Sequence, residues 1–268
     1  MLKEYSLTGK TAIITGAGHG IGKAIALAFA EAGADLALVS RTASEIEETA
    51  AEARKMGRRA VAIPTDVTKE AQVEAMVERA IAELGKIDIL LNDVGWARLK
   101  PLLPTQGMRT NVPGEAEPTR ISLEEWHRHI DINLTSVFLC CRAIGPHMLS
   151  QKKGKIINIT SGEGIKATPY LLPYSSAKAG VAMFSRSLAL EWGRFGINVN
   201  AIAPGLYLTP LLQEAMDEKQ IDRALKDLPI RRLGDPREVA LLAVYLASDA
   251  ANYITGQVIA IDGGGTAR

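Results

Sequence analysis

Four polar residues in the middle and second half of the chain have the types and spacing needed for proton transfer. Tyr174 and Lys178 are four residues apart at the start of a predicted helix, so they share one helix face. Ser161 follows a short apolar run thirteen residues before Tyr174, and Asn133 lies in an earlier helical pattern. An ammonium beside a phenol favours the phenolate, so Tyr174 could exchange a proton with an alcohol or a carbonyl. Ser161 could donate a hydrogen bond to the same oxygen.

A glycine-rich turn near the N-terminus has the composition of a dinucleotide site. Gly16, Gly20 and Gly22 follow an apolar run and open a helical pattern, within the string T-G-A-G-H-G-I-G at 15–22. Glycines permit a tight turn, and the helix N-terminus offers backbone N–H groups to a pyrophosphate. The glycine spacing and the lack of Ser or Thr after Lys23 argue against a nucleotide-triphosphate loop. The other predicted contacts in this turn are Gly18, His19 and Ile21.

The end of the second predicted strand bears on the choice between two dinucleotides. In folds of this type, an acidic residue about 20 positions beyond the glycine turn binds the ribose 2′-hydroxyl of NAD. Ser40 occupies that position here, and Arg41 follows it. A hydroxyl and a guanidinium would bind a 2′-phosphate, whereas a carboxylate would repel one. The sequence therefore predicts NADP(H) as the cofactor and disfavours NAD(H), with a solvated Arg41 as the alternative interpretation.

Short apolar segments alternate with amphipathic ones along the whole chain. Continuous apolar character in short runs indicates strands buried on both faces, as in a parallel sheet. Repeated β-α-β crossovers predict one α/β domain over 1–268, a doubly wound (Rossmann) parallel sheet of about seven strands with helices on both faces. The predicted strands are 11–15, 35–40, 60–64, 87–92, 155–160, 198–203 and 258–261, and the predicted helices are 21–32, 43–56, 70–84, 123–149, 175–195 and 236–246.

One segment breaks this alternation. Residues 98–121 contain four prolines and two glycines without sustained periodicity, which predicts a long inserted loop after the fourth strand. Ligands of open α/β sheets bind beyond the carboxyl ends of the strands, so we expect this loop and the region 205–230 to form the two walls of a substrate site. A tolerated surface insertion is the alternative. The side chains expected to line the loop are Leu102, Leu103 and Met108 as apolar wall, with Arg98, Lys100, Arg109 and Arg120 as anion contacts.

Composition excludes several kinds of partner. A formal net charge of +1 provides no electrostatic footprint for nucleic acid or an acidic membrane surface. Cys140 and Cys141 are adjacent and cannot form a disulfide framework, and the histidines show no ligand spacing with them, so no metal site is predicted. The polar start of the chain lacks an apolar signal core, and no apolar run is long enough to span a membrane. These features predict a cytoplasmic protein.

Taken in order, these strings resemble the single-domain branch of the short-chain dehydrogenase/reductase family. The likeness rests on the glycine turn, Asn133, Ser161 and the Y-x-x-x-K string at 174–178, and it covers nearly the whole chain except 98–121. The resemblance implies an enzyme that moves a hydride between a nicotinamide cofactor and a small carbonyl or secondary-alcohol substrate. It also implies that Asn133 holds a water of a proton relay and that Lys178 binds the cofactor ribose.

The resemblance adds further cofactor contacts. They are Asp66 and Val67 at the adenine, Asn92 and Gly95 after the fourth strand, and Pro204, Gly205 and Thr209 at the nicotinamide carboxamide. Asp93 and Val94 depart from the N-N-A-G string that the family carries at this point. We also expect the pKa of Tyr174 to lie below that of a free phenol, because Lys178 and an oxidised nicotinamide are both positively charged.

Two alternative functions remain open at this point. The stretch 174–200 and the C-terminus resemble 3-oxoacyl-carrier-protein reductases, although Pro146 and Phe195 stand where such reductases present docking arginines. The second alternative is a non-catalytic NADP-binding sensor or scaffold, which the retained Ser161 and Tyr174 disfavour.

The resemblance and two very apolar helices together predict a homo-oligomer, and specifically a tetramer. The segments 137–149 and 181–192 are more apolar than one core requires. Phe184, Leu188 and Trp192 are the side chains expected on their outer faces.

Overall fold

Seven strands, all paired in parallel, form the centre of this computed structural model, which describes residues 2–105 and 118–267 of the chain. They are β1 (Thr11–Thr15), β2 (Asp35–Ser40), β3 (Ala60–Pro64), β4 (Ile89–Asn92), β5 (Gly154–Ile159), β6 (Ile197–Pro204) and β7 (Val258–Ile261). Their order in the sheet is β3-β2-β1-β4-β5-β6-β7. The prediction of a doubly wound parallel sheet of about seven strands is confirmed.

Helices cover both faces of this sheet. In the described residues they are α1 (Gly20–Glu31), α2 (Ala43–Lys55), α3 (Glu70–Leu84), α4 (Leu123–Ile130), α5 (Ser136–Gln151), α6 (Leu172–Trp192), α7 (Pro210–Ala215), α8 (Glu218–Lys226) and α9 (Pro236–Ala247). One apolar layer joins the sheet to α1, α2 and α9, and the other joins it to α3, α5 and α6. Ile13 and Ile14 of β1 belong to opposite layers because side chains alternate along a strand.

The strand order reverses next to β1, and this reversal fixes where a ligand can bind. The chain continues from β1 to β2 on one side, while β4 lies on the other side of β1. Crossovers that diverge in this way leave a crevice beyond the carboxyl ends of the strands. Thr15 pairs with Asn92 at the ends of β1 and β4, so Gly16 and Asp93 leave the sheet side by side.

The predicted helix over 123–149 is divided into two. α4 ends at Ile130, a wider π-helical turn spans Asp131–Thr135, and α5 begins at Ser136. Such turns are rare and occur mainly at functional sites. Here the turn contains Asn133, whose side chain binds the main chain of the loop after β4.

The exposed apolar residues of α5 and α6 differ from those expected. Leu188 is buried, while Phe184 and Trp192 pack against the apolar layer. These residues extend the buried stripe of α6 that includes Val181, so the prediction that they form an outer face is wrong. The large apolar side chains that α5 and α6 do expose are Phe138, Leu172, Met183 and Leu190, which are 42%, 44%, 58% and 86% exposed.

Several features bear on membranes and metals. Within residues 2–105 and 118–267, no helix combines the length and the apolar character that a bilayer crossing needs. The same residues contain no cluster of three or more histidine, cysteine, aspartate or glutamate side chains suited to a metal ion. Cys140 and Cys141 are both buried in α5, and burial raises the pKa of both thiols.

Candidate active site

The glycine turn at 15–22 lies at the crevice, with its backbone close to the chain that leaves β4. Gly16 and Gly20 have φ angles of 74° and 57°, in the left-handed region that glycine adopts without steric cost. A Cβ on Gly16 would lie 3.1 Å from the main-chain carbonyl of Asp93, and one on Gly22 would lie 2.7 Å from the Asp93 carboxylate. The turn has no room for larger residues at these positions.

The N-terminus of α1 has the features of a diphosphate site. His19 precedes the helix, is exposed, and does not cap it with its side chain. N–H groups of the first turn carry the partial positive charge of a helix N-terminus, which suits an anion. Gly18 is buried close to Glu45, and the Ile21 side chain packs against an apolar layer. Ile21 is only partly buried, so its contact with a cofactor stays a prediction.

Asp93 lies in the crevice at the position where the family string has asparagine. Its carboxylate accepts a hydrogen bond from the Gly22 N–H and interacts electrostatically with Lys178. Loss of solvent raises the pKa of Asp93, and the Lys178 ammonium opposes that rise. Asn92 is different, because it is buried and its amide donates to Oδ1 of Asn158 at 2.8 Å. The Asn92 side chain is thus bound to the neighbouring strand, and the predicted contact of Asn92 with a cofactor stays a prediction.

The adenine end of the crevice is built from the turns after β2 and β3. The Ser40 hydroxyl accepts the Thr42 N–H at 3.2 Å and donates to the Thr42 carbonyl at 3.1 Å. Desolvation acts to raise the pKa of Asp66, but hydrogen bonds from Thr68 and the nearby charge of Arg41 lower it overall. Arg41 is exposed, and its charge acts on Asp66, so the two side chains lie near one another. Val67 is buried, so only its backbone faces this end.

The segment after β6 lies over the glycine turn. A Cβ on Gly20 would be 3.5 Å from the methyl carbon of Thr209. The Thr209 hydroxyl accepts the Leu212 N–H as α7 begins. The Gly205 N–H, next to Pro204, donates to the Ile261 carbonyl at 3.1 Å. Tyr207 turns away from the crevice, because it is buried and its hydroxyl donates to the same Ile261 carbonyl.

Ser161 and Tyr174 meet beyond the carboxyl end of β5. Both are nine-tenths buried, and a hydrogen bond joins the Ser161 hydroxyl to the phenol. Burial, with the negative charges of Glu163 and Asp93, raises the pKa of Tyr174 to about 12, although the hydrogen bond with Ser161 acts to lower it. In the protein alone, desolvation of the phenolate outweighs the hydrogen bond that favours it, so this pKa lies above that of a free phenol. The lower apparent pKa expected with oxidised nicotinamide bound stays a prediction.

Lys178 lies behind Tyr174 and is almost fully buried. Its ammonium donates to the Ile159 carbonyl at 2.9 Å and lies 5.8 Å from the centre of the Tyr174 ring. Burial lowers the pKa of Lys178, and the Asp93 carboxylate opposes that change. A Cβ on Gly95 would lie 3.3 Å from Oδ1 of Asn133 and 3.6 Å from Nζ of Lys178. Gly95 therefore allows these two side chains to approach one another.

Thr160, the rival of Ser161 for the role at the substrate oxygen, is bound elsewhere. Its hydroxyl donates to the main-chain carbonyl of Lys178 at 2.6 Å and is buried. A Cβ on Gly164 would lie 2.8 Å from the same Lys178 carbonyl group, so the turn after Ser161 packs directly on α6. These contacts fix Ser161 relative to Tyr174.

Two aromatic residues that the sequence reasoning missed hold Asn133 in place. The Asn133 side chain donates to the carbonyls of Trp96 and His129 and accepts the Trp96 N–H. The His129 ring packs against Trp96 with ring centres 4.4 Å apart and the planes tilted by 43°, and it accepts the Arg98 N–H at 3.3 Å. Burial lowers the pKa of His129, consistent with a neutral ring in that role. The Trp96 and His129 side chains carry no sequence motif, so only the fold reveals them.

The described ends of the inserted loop lie beside the site. Lys100 donates its N–H to the Tyr170 carbonyl at 2.8 Å, which ties the loop to the segment between Ser161 and α6. The Ile121 N–H donates to the Pro101 carbonyl at 3.0 Å and closes the loop at its base. Met108 and Arg109 lie outside the described residues, while Arg120 is exposed.

At the first of these ends, two cations are ion-paired whereas the large apolar side chains are exposed. The Lys100 ammonium is 2.8 Å from Glu125, and the Arg98 guanidinium is 3.6 Å from the same carboxylate. Their expected role as anion contacts must therefore compete with Glu125. Leu102 and Leu103 are more than half exposed, as are Leu208 and Ile230 of the second wall.

Comparison with known proteins agrees with this geometry. The family model described as "Enoyl-(Acyl carrier protein) reductase" matches residues 16–266. D-threitol dehydrogenase of Mycolicibacterium smegmatis is 39% identical over 265 residues, covering 99% of this chain and 96% of that protein. A gluconate 5-dehydrogenase of Burkholderia cenocepacia, solved with NADP and tartrate, is 34% identical with a TM-score of 0.89, covering 100% and 99% of the two chains. The 3-ketoacyl-(acyl-carrier-protein) reductase of Brucella melitensis, solved with NADH, is 32% identical with a TM-score of 0.85, covering 97% and 100%.

A doubly wound sheet with a glycine turn, and a buried Ser-Tyr-Lys group at its crevice, define an oxidoreductase that acts on CH–OH and C=O groups. The match over residues 16–266 and the relatives above 30% identity show that this chain belongs to the short-chain dehydrogenase/reductase family.

Proposed function

We propose that this protein is an NADP(H)-dependent oxidoreductase that converts a free small carbonyl compound and its secondary alcohol, with Tyr174 as acid and base. The observation that carries the proposal is the buried contact between Ser161 and Tyr174, next to Lys178 and the glycine turn. Burying a phenol against a hydroxyl at the ligand crevice contributes little to stability, so a role in binding or catalysis explains it better. The phenol has the geometry for protonating a substrate oxygen that Ser161 also binds.

The residues at the crevice fit a nicotinamide dinucleotide. Backbone N–H groups in the first turn of α1, apart from that of Gly22 which donates to Asp93, would hold the diphosphate. The turn with Asp66 would hold the adenine. The resemblance assigns Gly205 and Thr209 to the nicotinamide end. Their position fits that role, because Thr209 lies against Gly20 of the glycine turn. When bound, the cofactor supplies or accepts the hydride.

Preference for NADP(H) is supported by the end of β2. Neither Ser40 nor Arg41 would repel a 2′-phosphate, and Arg41 is exposed on the side of the crevice where Asp66 lies. The solved relatives include a complex with NADP and one with NADH, so the family admits both cofactors.

Proton movement follows from the described side chains. In reduction, Tyr174 gives its proton to the substrate oxygen while Ser161 donates a hydrogen bond to that oxygen. Lys178 and Asn133 approach each other beside Gly95, so a water between them would connect Tyr174 to bulk solvent. In oxidation the same path runs in reverse, and Tyr174 accepts the alcohol proton.

A second candidate is a 3-oxoacyl-carrier-protein reductase, which one solved relative favours. Docking of an acidic carrier needs exposed cations. Arg142 and Arg194 are exposed, but Arg142 is ion-paired with Glu70 and Arg194 lies 4.8 Å over the Phe195 ring. The two positions where such reductases present arginines carry Pro146 and Phe195. Free small substrates are therefore the better supported class.

The test is a screen of NADPH oxidation over carbonyl compounds of varied size and charge, with NADPH binding followed separately by fluorescence. We expect turnover of at least one small ketone. Binding of NADPH with no turnover across the panel would favour a sensor or scaffold. Turnover confined to carrier-linked 3-oxoacyl substrates would favour the second candidate.

A further inference from the structure

Glu163 is a charged residue in the site whose chemistry the proton transfer does not use. It lies in a short 3-10 turn, Gly162–Gly164, directly after Ser161. Its N–H donates to the Ser161 hydroxyl at 3.1 Å, and its charge is close enough to raise the pKa of Tyr174. The Glu163 main chain therefore contacts Ser161, and its carboxylate lies near enough to Tyr174 to act on the phenol electrostatically.

One oxygen of this carboxylate is left without a partner. The Thr168 hydroxyl donates a hydrogen bond to the carboxylate, and Lys166 interacts with it only electrostatically. Oε2 is fully buried and has no hydrogen-bond partner among the described residues. Burial raises the pKa of Glu163, as expected for a desolvated carboxylate. Buried polar atoms are normally paired, so an orphan acceptor next to a reactive phenol indicates a ligand that donates.

The turn cannot easily move Glu163 away from this position. Gly164 packs on the Lys178 carbonyl, and Ser161 is fixed by its contact with Tyr174. We propose, building on the function above, that Glu163 determines specificity by accepting a hydrogen bond from a donor group on the carbon next to the reacting carbon. The substrate class that fits is a vicinal diol or the corresponding α-hydroxy ketone. An α-amino alcohol also carries a donor at this carbon, so the experiment compares it with the diol.

The experiment compares three secondary alcohols on one ring: cyclohexanol, 1,2-cyclohexanediol and 2-aminocyclohexanol, each as its cis and trans isomers where these exist. NADP⁺ reduction gives kcat/KM for each. We expect the diol to exceed cyclohexanol by about 10- to 150-fold per hydroxyl, the range of one charge-assisted hydrogen bond. Preference for the amino alcohol instead would assign the donor as an ammonium.

Two variants separate recognition from structure. The ratio to follow is kcat/KM for the diol divided by kcat/KM for cyclohexanol. E163L should bring this ratio near one, and E163Q, which keeps the shape but not the charge, should give an intermediate value. E48Q, at an exposed glutamate of α2, is the matched control and should keep the wild-type ratio. A ratio that persists in E163L, or a wild-type ratio near one, would overturn the inference.

The pH profile is a second readout that a purely structural role would not move. The groups that face Tyr174 are Ser161, Glu163, Asp93 and Lys178. Loss of the Glu163 charge should lower the pH at which cyclohexanol oxidation reaches half of its maximum, and an unchanged E163Q profile would contradict the proposed proximity. If none of the three alcohols is oxidised, this inference fails, and the carbonyl screen alone then decides the proposed function.

Discussion

The hydroxyl of Tyr174 should be needed for proton transfer and not for cofactor binding. Replacing Tyr174 by Phe keeps the ring in its buried position and removes only the proton carrier, so we expect kcat to fall about 10²- to 10⁴-fold. The NADPH dissociation constant, measured by fluorescence titration, should change little. Substantial turnover by the Phe variant would contradict the assignment and direct attention to water or to Thr160.

The direction of the pH dependence follows from the same residue. Burial raises the pKa of Tyr174 to about 12, so the phenol is protonated across the neutral range. Oxidation needs the phenolate and should rise with pH, whereas reduction needs the phenol and should persist to alkaline pH. The positive charge of an oxidised nicotinamide acts to lower this pKa, so the rise in oxidation should occur well below pH 12.

Asp93 should oppose cofactor binding as it ionises. Its carboxylate lies at the N-terminus of α1, where a diphosphate would bind, and desolvation raises its pKa to about 7. As the pH rises from 6 to 7.5 the neutral fraction of an aspartate with this pKa falls about 4-fold, so NADPH affinity should weaken by at most about 4-fold.

Asn in place of Asp93 keeps the acceptor for the Gly22 N–H and removes the charge. The D93N variant should therefore bind NADPH with nearly constant affinity over this pH range, as measured by fluorescence titration. Parallel pH curves for wild type and D93N would show that Asp93 does not titrate against the cofactor.

The residue types at the site were predictable where the side chain itself carries the chemistry. Ser161, Tyr174 and Lys178 are such residues, because their spacing and their strand or helix positions bring them together. Asn92 and Asp93 were not predictable in this way, since neighbours on a strand end face opposite directions and only the pairing of β1 with β4 shows which one faces the crevice.

At the scale of elements, strands and most helices followed from local patterns. Apolar runs and helical periodicity placed β1, β2 and β3 with their bounds as observed, because those patterns reflect burial directly. The π-helical turn at Asp131–Thr135 was missed. The Asn133 side chain of this turn donates to the Trp96 carbonyl, and no local pattern encodes that tertiary contact.

The end of β2 should set the cofactor preference. We expect kcat/KM with NADPH to exceed that with NADH by about 10- to 150-fold, the value of one charge-assisted contact of about 1.5–3 kcal/mol. The double variant S40D/R41A places a carboxylate there and should reverse the preference. Equal or better use of NADH by the wild-type protein would refute the prediction.

The inserted loop should affect substrate binding without affecting the cofactor. The Pro101–Ile121 hydrogen bond closes its base, so residues 102–120 can be replaced by a brief turn while that closure is kept. We expect a higher KM for the substrate, a kcat that is equal or lower, and unchanged NADPH affinity. An unchanged KM would indicate surface decoration or a subunit contact.

At the scale of the whole molecule, α5 and α6 leave apolar groups uncovered. Met183 and Leu190 are seven residues apart and so share one face of α6, and Phe138 is exposed on α5. A leucine that is 86% exposed on a helix face is consistent with coverage by another subunit. The structure describes one chain, so assembly remains a prediction: we expect a homotetramer.

The tetramer predicts a specific pattern of dissociation. Light scattering at micromolar concentration should return about four times the 28.7 kDa mass of one chain. M183E, alone or with L190E, would bury a charge in the interface and should lower that mass, because an unpaired buried carboxylate costs several kcal/mol. M56E at the end of α2, where Met56 is 41% exposed, is the matched control and should leave the mass unchanged. A wild-type mass of 28.7 kDa would contradict the tetramer, and a wild-type oligomer that survives M183E/L190E would assign the interface to another face, such as that of Leu241 and Tyr253.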